Sequence, residues 1–387
     1  MPKPAPRVEK IPPYLFARLD KKKIEARSRG IDVIDLSIGD PDLPTPAHIV
    51  KRMQEAVADP RNHQYPSYEG MPAFRKTVAQ WYASRFGVDL DPDGEVVVLI
   101  GSKEGIAHLP WAYVHEGDAA LIPSPGYPVY KVTTLLAGGT PHMMPLTEDR
   151  GFHPVFDAIP DGVKQKAKIC FLNYPNNPTG AHGSDDLFER AIAFGRKHDI
   201  LICHDAAYSE VTFDGYRAKS MLQFDKEKAY SVEFHSLSKT YCMTGWRIGF
   251  AVGNAEAIQN LGKLKTNIDS GVFQAIQEAG IVALTGPQDC VERMNTIFGA
   301  RRDLVVEGLA SLGIKVKKPK ATFYIWAHVP DGRTSADFAE AVIERTGVVV
   351  TPGSGFGDEG EGYFRISVTA SEERIREAMG RLRNLTP

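Results

Sequence analysis

The sequence predicts an α/β protein: a large domain around a mostly parallel sheet flanked by helices, with a smaller α+β domain. Three observations carry this. Short, near-continuous apolar runs recur through the middle of the chain, as strands buried on both faces require. Most of them open into loops dense in Gly, Pro, Asn and Ser, and helical periodicity follows. After about residue 286 the texture shifts to a long charged helix and short mixed elements. At 387 residues the chain is long for one core, and two domains suffice. The expected division is 46–286 for the large domain, with 1–45 and 287–387 forming a small domain from both chain ends.

In chain order, residues 14–29 read as an amphipathic helix and 31–38 as a short strand running into the turn-rich segment Gly39-Asp-Pro-Asp-Leu-Pro-Thr-Pro. Helices follow at about 48–58 and 72–86. Four strand–loop–helix units come next. Glu95-Val-Val-Val-Leu-Ile leads to Gly101-Ser-Lys, and Asp118-Ala-Ala-Leu-Ile-Pro leads to Ser124-Pro-Gly-Tyr-Pro. Lys168-Ile-Cys-Phe-Leu-Asn leads to Tyr174-Pro-Asn-Asn-Pro-Thr-Gly, and Ile200-Leu-Ile-Cys-His-Asp to Ala206-Ala-Tyr. Ser231-Val-Glu-Phe-His-Ser precedes Leu237-Ser-Lys-Thr, and Arg247-Ile-Gly-Phe-Ala-Val-Gly is a further strand. The last part predicts a helix over 287–312, strands at 314–317 and 322–328, a helix over 335–346, the strands Val348-Val-Val-Thr and Tyr363-Phe-Arg-Ile-Ser-Val, and a final helix from Ser371.

Composition narrows the function classes. A net charge of −2 argues against a dedicated nucleic-acid binder, which carries a basic excess. No stretch approaches 18 uncharged apolar residues, so no membrane span is expected. The N-terminus lacks the apolar core of a signal peptide. The four cysteines fit no zinc template and read as reduced core residues, which implies a cytoplasmic compartment and no metal.

One glycine-rich signal fails on context. Gly355-Phe-Gly-Asp-Glu-Gly matches a dinucleotide fingerprint, but a strand follows it where a helix is needed to face a pyrophosphate. No phosphate-binding P-loop pattern occurs. The segment Ser236-Leu-Ser-Lys239, with Arg247 eight residues on, is more informative. A lysine at a strand end is usually just solvated. Beside two hydroxyls and an arginine, its amine suits a Schiff base next to an anchored phosphate. Ser236 and Ser238 can donate to phosphate oxygens and Arg247 can grip them bidentately. Gly101-Ser102-Lys103 at a helix start offers further backbone N–H groups. Asp205 ends an apolar strand, where a carboxylate needs a partner.

Ser-x-Ser-Lys with Gly-x-Arg-x-Gly downstream resembles the lysine signature of the class I/II aminotransferases, which are fold-type I enzymes dependent on pyridoxal 5′-phosphate. The resemblance covers essentially the whole chain, with the other motifs in the expected order. It implies a seven-stranded, mostly parallel sheet, and Lys239 as the Schiff-base lysine and proton carrier. It implies Asp205 as the partner of the pyridine nitrogen. Tyr208 and Asn177 would hydrogen-bond the ring 3′-oxygen, and Tyr127 would stack on the ring. Gly101, Ser102, Lys103, Ser236, Ser238 and Arg247 would surround the phosphate. Arg365 would clamp the substrate carboxylate, with Gly39 offering a backbone N–H. Tyr65 would reach the phosphate of a neighbouring subunit, which implies a homodimer with shared sites.

Within the family the chain most resembles LL-diaminopimelate aminotransferases, through Pro12-Pro-Tyr-Leu-Phe, Ile38-Gly-Asp-Pro-Asp-Leu-Pro-Thr-Pro, Gly101-Ser-Lys-Glu-Gly and Lys265-Thr-Asn-Ile-Asp-Ser-Gly. This implies a ping-pong exchange with 2-oxoglutarate. Tyr14 and Lys103 would approach the substrate, joined by Tyr127 and Asn177, and Tyr68 and Glu69 would meet its distal end across the interface. Alanine or aromatic aminotransferases and a C–S β-lyase share the same core and remain alternatives.

Overall fold

The computed structural model describes residues 1–12, 15–330 and 332–385. Its strands, in chain order, are β1 (Ile34–Asp35), β2 (Val96–Leu99), β3 (Ala119–Ser124), β4 (Thr140–Pro145), β5 (Ala167–Asn173) and β6 (Leu201–Asp205). They continue as β7 (Ser231–Ser236), β8 (Gly249–Gly253), β9 (Tyr324–His328), β10 (Val348–Val349), β11 (Thr351–Pro352) and β12 (Tyr363–Ser367).

Seven of them form one sheet in the order β2-β8-β7-β6-β5-β3-β4. All ladders are parallel except the two made by β8. β2, β7 and β8 are buried along their whole length because helices cover both faces, and β2 and β8 are apolar throughout while β7 also buries Glu233 and His235. Two separate apolar clusters lie on opposite faces, one around Phe74, Tyr82 and Phe250, the other around Leu109, Phe171 and Phe234.

The helices obey local rules. The helix Asp185–His198 starts on Ser184, whose hydroxyl accepts from Leu187 N–H at 3.2 Å. It carries Asp185 and Asp186 in its first turn and Arg196, Lys197 and His198 in its last, matching its dipole. It buries Leu187, Phe188, Ala191 and Ile192 against the sheet.

Register places the site. Leu99, Gly249 and Ser236 lie abreast across β2, β8 and β7, and Asn173 lies beside Asp205 across β5 and β6. The carboxyl ends of the parallel strands therefore form one edge, where α/β folds bind ligands. A second, antiparallel sheet, β11-β12-β9, brings Arg365 to that edge, and β1 pairs in parallel with β10.

Several expectations need correction. Lys239 and Ser238 do not lie on a strand: β7 stops at Ser236, and both sit on the single helical turn Leu237–Thr240. Arg247 does not start β8. Its φ of 58° puts it in the left-handed region two residues before the strand. The expected strand at 314–317 reduces to one bridge, Val316 to Ala327, and 31–38 contributes only Ile34–Asp35. The edge strand β4 had no clear signal, since Thr-Pro-His-Met-Met-Pro carries two prolines that only an edge tolerates. The helices Ala255–Lys265 and Gln274–Thr285 were also not anticipated. Among the described residues no helix is long and apolar enough to cross a membrane. All four cysteines are free thiols.

Candidate active site

A cavity of about 390 Å³ opens at the carboxyl edge of the sheet. Of the residues singled out from sequence, Gly39, Ser102, Lys103, Tyr127, Asn177 and Asp205 line it. So do Tyr208, Ser236, Ser238, Lys239, Arg247 and Arg365. Gly101 caps the helix Ser102–Tyr113 beside it. Tyr65 does not line it on this chain and stands 85% exposed. Tyr14 lies outside the described residues.

Lys239 Nζ donates to the Gly39 carbonyl at 2.8 Å. Burial lowers its amine to about 8, with Arg247 and Arg365 pushing the same way and Asp40 opposing. A neutral amine is thus accessible near physiological pH, as a nucleophile or proton carrier needs.

Asp205 is 5% exposed. Burial raises its carboxyl above the usual range, and a hydrogen bond from Tyr130 Oη at 2.8 Å works against that. Tyr130 is itself held by stacking on Phe171 at 4.8 Å. A buried carboxylate at the bottom of a cavity is costly unless a cation meets it.

A second network lies behind Asp205. The Glu233 carboxylate bridges His204 Nδ1 at 2.9 Å and His235 Nε2 at 2.8 Å, and accepts from Tyr82 Oη at 2.7 Å and Met221 N–H at 2.7 Å. Burial would raise the Glu233 carboxyl, but the two histidines override it and hold it well below the usual range.

The opposite wall carries Arg365, 1% exposed. Its Nη1 donates to Asn177 Oδ1 at 2.6 Å and its Nη2 to the Ser37 carbonyl at 2.7 Å. Its guanidinium lies 4.0 Å from the centre of the Tyr324 ring and 4.7 Å from that of Phe356. Asn177 is fixed in turn, because its N–H donates to Asn173 Oδ1 at 2.7 Å.

At the third side the helix Ser102–Tyr113 points its N-terminus at Arg247. Gly101 has a φ of 74°, and a Cβ there would stand 2.3 Å from Arg247 Nη2. Arg247 also donates to the Thr244 carbonyl at 2.8 Å and reaches Ser238 Oγ at 3.5 Å. Backbone N–H groups, the hydroxyls of Ser102, Ser236 and Ser238 and an arginine therefore line one cavity, a donor set suited to a phosphate.

The amine, the buried carboxylate and the anion cradle share one cavity, and they meet the three demands of a pyridinium aldehyde phosphate. The residues present fit pyridoxal phosphate. A model of the class I and II aminotransferase family matches residues 31–382. The chain belongs to the class I and II aminotransferases. Members depend on pyridoxal 5′-phosphate, and so does this enzyme.

The aminotransferase is 56% identical over 380 residues to an LL-diaminopimelate aminotransferase of Halothermothrix orenii, covering 98% of both chains. It is 56% identical over 381 residues to another of that name from Moorella thermoacetica, again covering 98% of each. Among solved structures it is similar to substrate-bound BacF from Bacillus subtilis, with a TM-score of 0.95 and 37% identity, covering 100% of this chain and 98% of that one.

Six lining residues escaped sequence reasoning: Ile38, Asn173, Ala207, Thr244, Tyr324 and Phe356. Tyr130, beneath the floor, escaped too. Only Tyr324 had a usable signal. A tyrosine within the apolar run Thr322-Phe-Tyr-Ile-Trp must find a partner for its hydroxyl. Among the described residues no group of three or more His, Cys, Asp or Glu side chains could hold a metal ion.

Proposed function

We propose that this aminotransferase moves the amino group of LL-diaminopimelate to 2-oxoglutarate by a ping-pong route, in lysine biosynthesis. One observation carries the chemistry: Lys239, Asp205 and Arg365 converge on a single cavity. The full-length identity to enzymes named for that substrate supports the choice of amino donor.

Bound pyridoxal phosphate supplies the electrophilic carbon and the electron sink. The chain supplies the rest. Lys239 would hold the cofactor, and its free amine would take the proton from the substrate Cα as a general base. Asp205 would pair with the protonated ring nitrogen, a cationic partner that offsets the cost of burying its carboxylate. Tyr208 and Asn177 would hydrogen-bond the ring oxygen, and Tyr127 would pack on the ring. Ser102, Ser236, Ser238 and Arg247 hold the phosphate, with Gly101 and Lys103 at the helix start. Arg365 orients the substrate carboxylate, aided by the Gly39 backbone, which aims the Cα–H bond at Lys239. Lys103, which lines the cavity, would approach the substrate.

The enzyme acts as a homodimer in the cytoplasm. Exposed Tyr65, Tyr68 and Ile268 support a second copy covering the mouth, with Tyr65 extending to its phosphate. The pairing of β1 with β10 supports a small domain made from 1–45 and 287–387, beside a large domain over 46–286.

A half-reaction panel tests the reading. The cofactor-loaded protein is mixed with single amino acids, and conversion to the pyridoxamine form is followed by absorbance. LL-diaminopimelate should convert far faster than alanine, aspartate or phenylalanine. A faster response to any of those would defeat the substrate assignment, and pyruvate released without an oxo-acid acceptor would point to a lyase.

A further inference from the structure

The Tyr324 side chain touches three parts of the site that the chemistry uses separately. It is 3% exposed. Its hydroxyl lies 3.1 Å from the Tyr208 hydroxyl. Its ring face lies under the Arg365 guanidinium at 4.0 Å. Its hydroxyl also fills the space beside Gly39, where a Cβ would stand 1.8 Å away, and the Gly39 carbonyl holds Lys239 at 2.8 Å. The residue is itself anchored. Its N–H donates to Thr322 Oγ1 at 3.1 Å, and its ring meets Phe323 and Tyr208 edge-on.

We propose that Tyr324 is a positioning residue that sets Tyr208 and Arg365 together, linking the cofactor-facing hydroxyl to the carboxylate clamp. The inference rests on the reading of Tyr208 as the donor to the ring oxygen and Arg365 as the carboxylate receptor.

A phenol has one proton. When Tyr208 gives its proton to the ring oxygen, Tyr324 must be the donor in the 3.1 Å contact. A hydroxyl that accepts a hydrogen bond becomes a stronger donor, so Tyr324 strengthens the Tyr208 bond to the ring oxygen. The face of the same ring holds the guanidinium in a desolvated cation–π contact. Hydroxyl and ring thus do different work, and two substitutions separate them. Tyr324→Phe removes only the donor. Tyr324→Leu removes the donor and the aromatic face.

The test measures two things on the cofactor-loaded enzyme: the pH midpoint of its visible absorption band without substrate, and KM against kcat for the amino donor. Tyr324→Phe should raise the midpoint by about 0.5, because the anionic ring oxygen loses part of its hydrogen bonding, and should leave KM within about twofold. Tyr324→Leu should raise the midpoint equally and also raise KM about tenfold. On a Tyr208→Phe background, Tyr324→Phe should add nothing to the midpoint. A purely packing role would move stability and leave the midpoint in place. An unmoved midpoint in Tyr324→Phe, alongside a clear shift in Tyr208→Phe, overturns the proposal and leaves the site reading standing. An unmoved midpoint in Tyr208→Phe overturns both.

Discussion

Arg365 Nη1 donates to Asn177 Oδ1 at 2.6 Å, so two residues 188 positions apart hold one another in the wall of the cavity. The bond joins β12 to the loop after β5, and the other guanidinium nitrogen is spent on the Ser37 carbonyl. Both bonds orient the fork and keep it desolvated. Lysine would retain the charge without the fork. Arg365→Lys should raise KM for the amino donor about 100-fold, matching the several kcal/mol typical of a broken buried charge contact. The visible band of the loaded protein should stay unchanged. Steady-state kinetics beside an absorbance spectrum decide the matter, and an unaltered KM would refute the clamp.

The amine of Lys239 titrates near 8, and only its neutral form attacks an aldehyde. The rate of cofactor loading into the cofactor-free protein should therefore rise about fivefold from pH 7 to pH 8 and level off above about pH 9. An ordinary lysine would keep gaining about tenfold per pH unit to about pH 9 and would level off only above about pH 11. Stopped-flow loading at a series of pH values separates the two profiles. Lys239→Ala should show no visible band and no turnover.

Asp205 has its carboxyl raised by burial. A carboxyl raised in the fold holds its proton better folded than unfolded, so its contribution is present at low pH and is lost as pH climbs through the folded value. In the cofactor-free protein at pH 7 the charge is a burden. Asp205→Asn should then stabilise the cofactor-free form at pH 7 by about 1 kcal/mol and slow the half-reaction at least 100-fold. The stability gain should vanish at acidic pH, where the parent carboxyl is neutral. Calorimetry of both proteins at pH 7 and pH 4 would reveal a failure of either expectation.

Glu233 behaves oppositely. Its histidine partners depress the carboxyl, so its stabilisation is present above the ordinary carboxylate range and is lost as pH falls through the lowered folded value. Glu233→Gln leaves two buried histidines without their anion and should cost about 3 kcal/mol at pH 7, with a smaller loss at low pH. Denaturant titrations at the two pH values test this. A neutral effect at pH 7 would mean that the network carries no net stability.

The sheet strands were legible because burial on both faces imposes apolar runs that need no partner information. The edge strand β4 was not, since an edge releases the sequence from that demand. The short turn bearing Lys239 read as strand for a similar reason: the apolar Leu237 continues the pattern of β7, and nothing local marks the change of direction after Ser236.

The sequence by itself determined the motif set, namely Ser236 to Lys239, Arg247, Asp205, Asn177 and Arg365, because each lies in or beside a local pattern that its chemistry requires. Only the tertiary structure decided what stands behind them. Tyr130 under Asp205, Tyr324 under Arg365 and the Glu233 network come from distant segments, with sequence separations of 75 for the first pair and 151 between Tyr82 and Glu233. Such partners satisfy buried charges through packing and register, and no spacing along one chain encodes which strand will lie beside which.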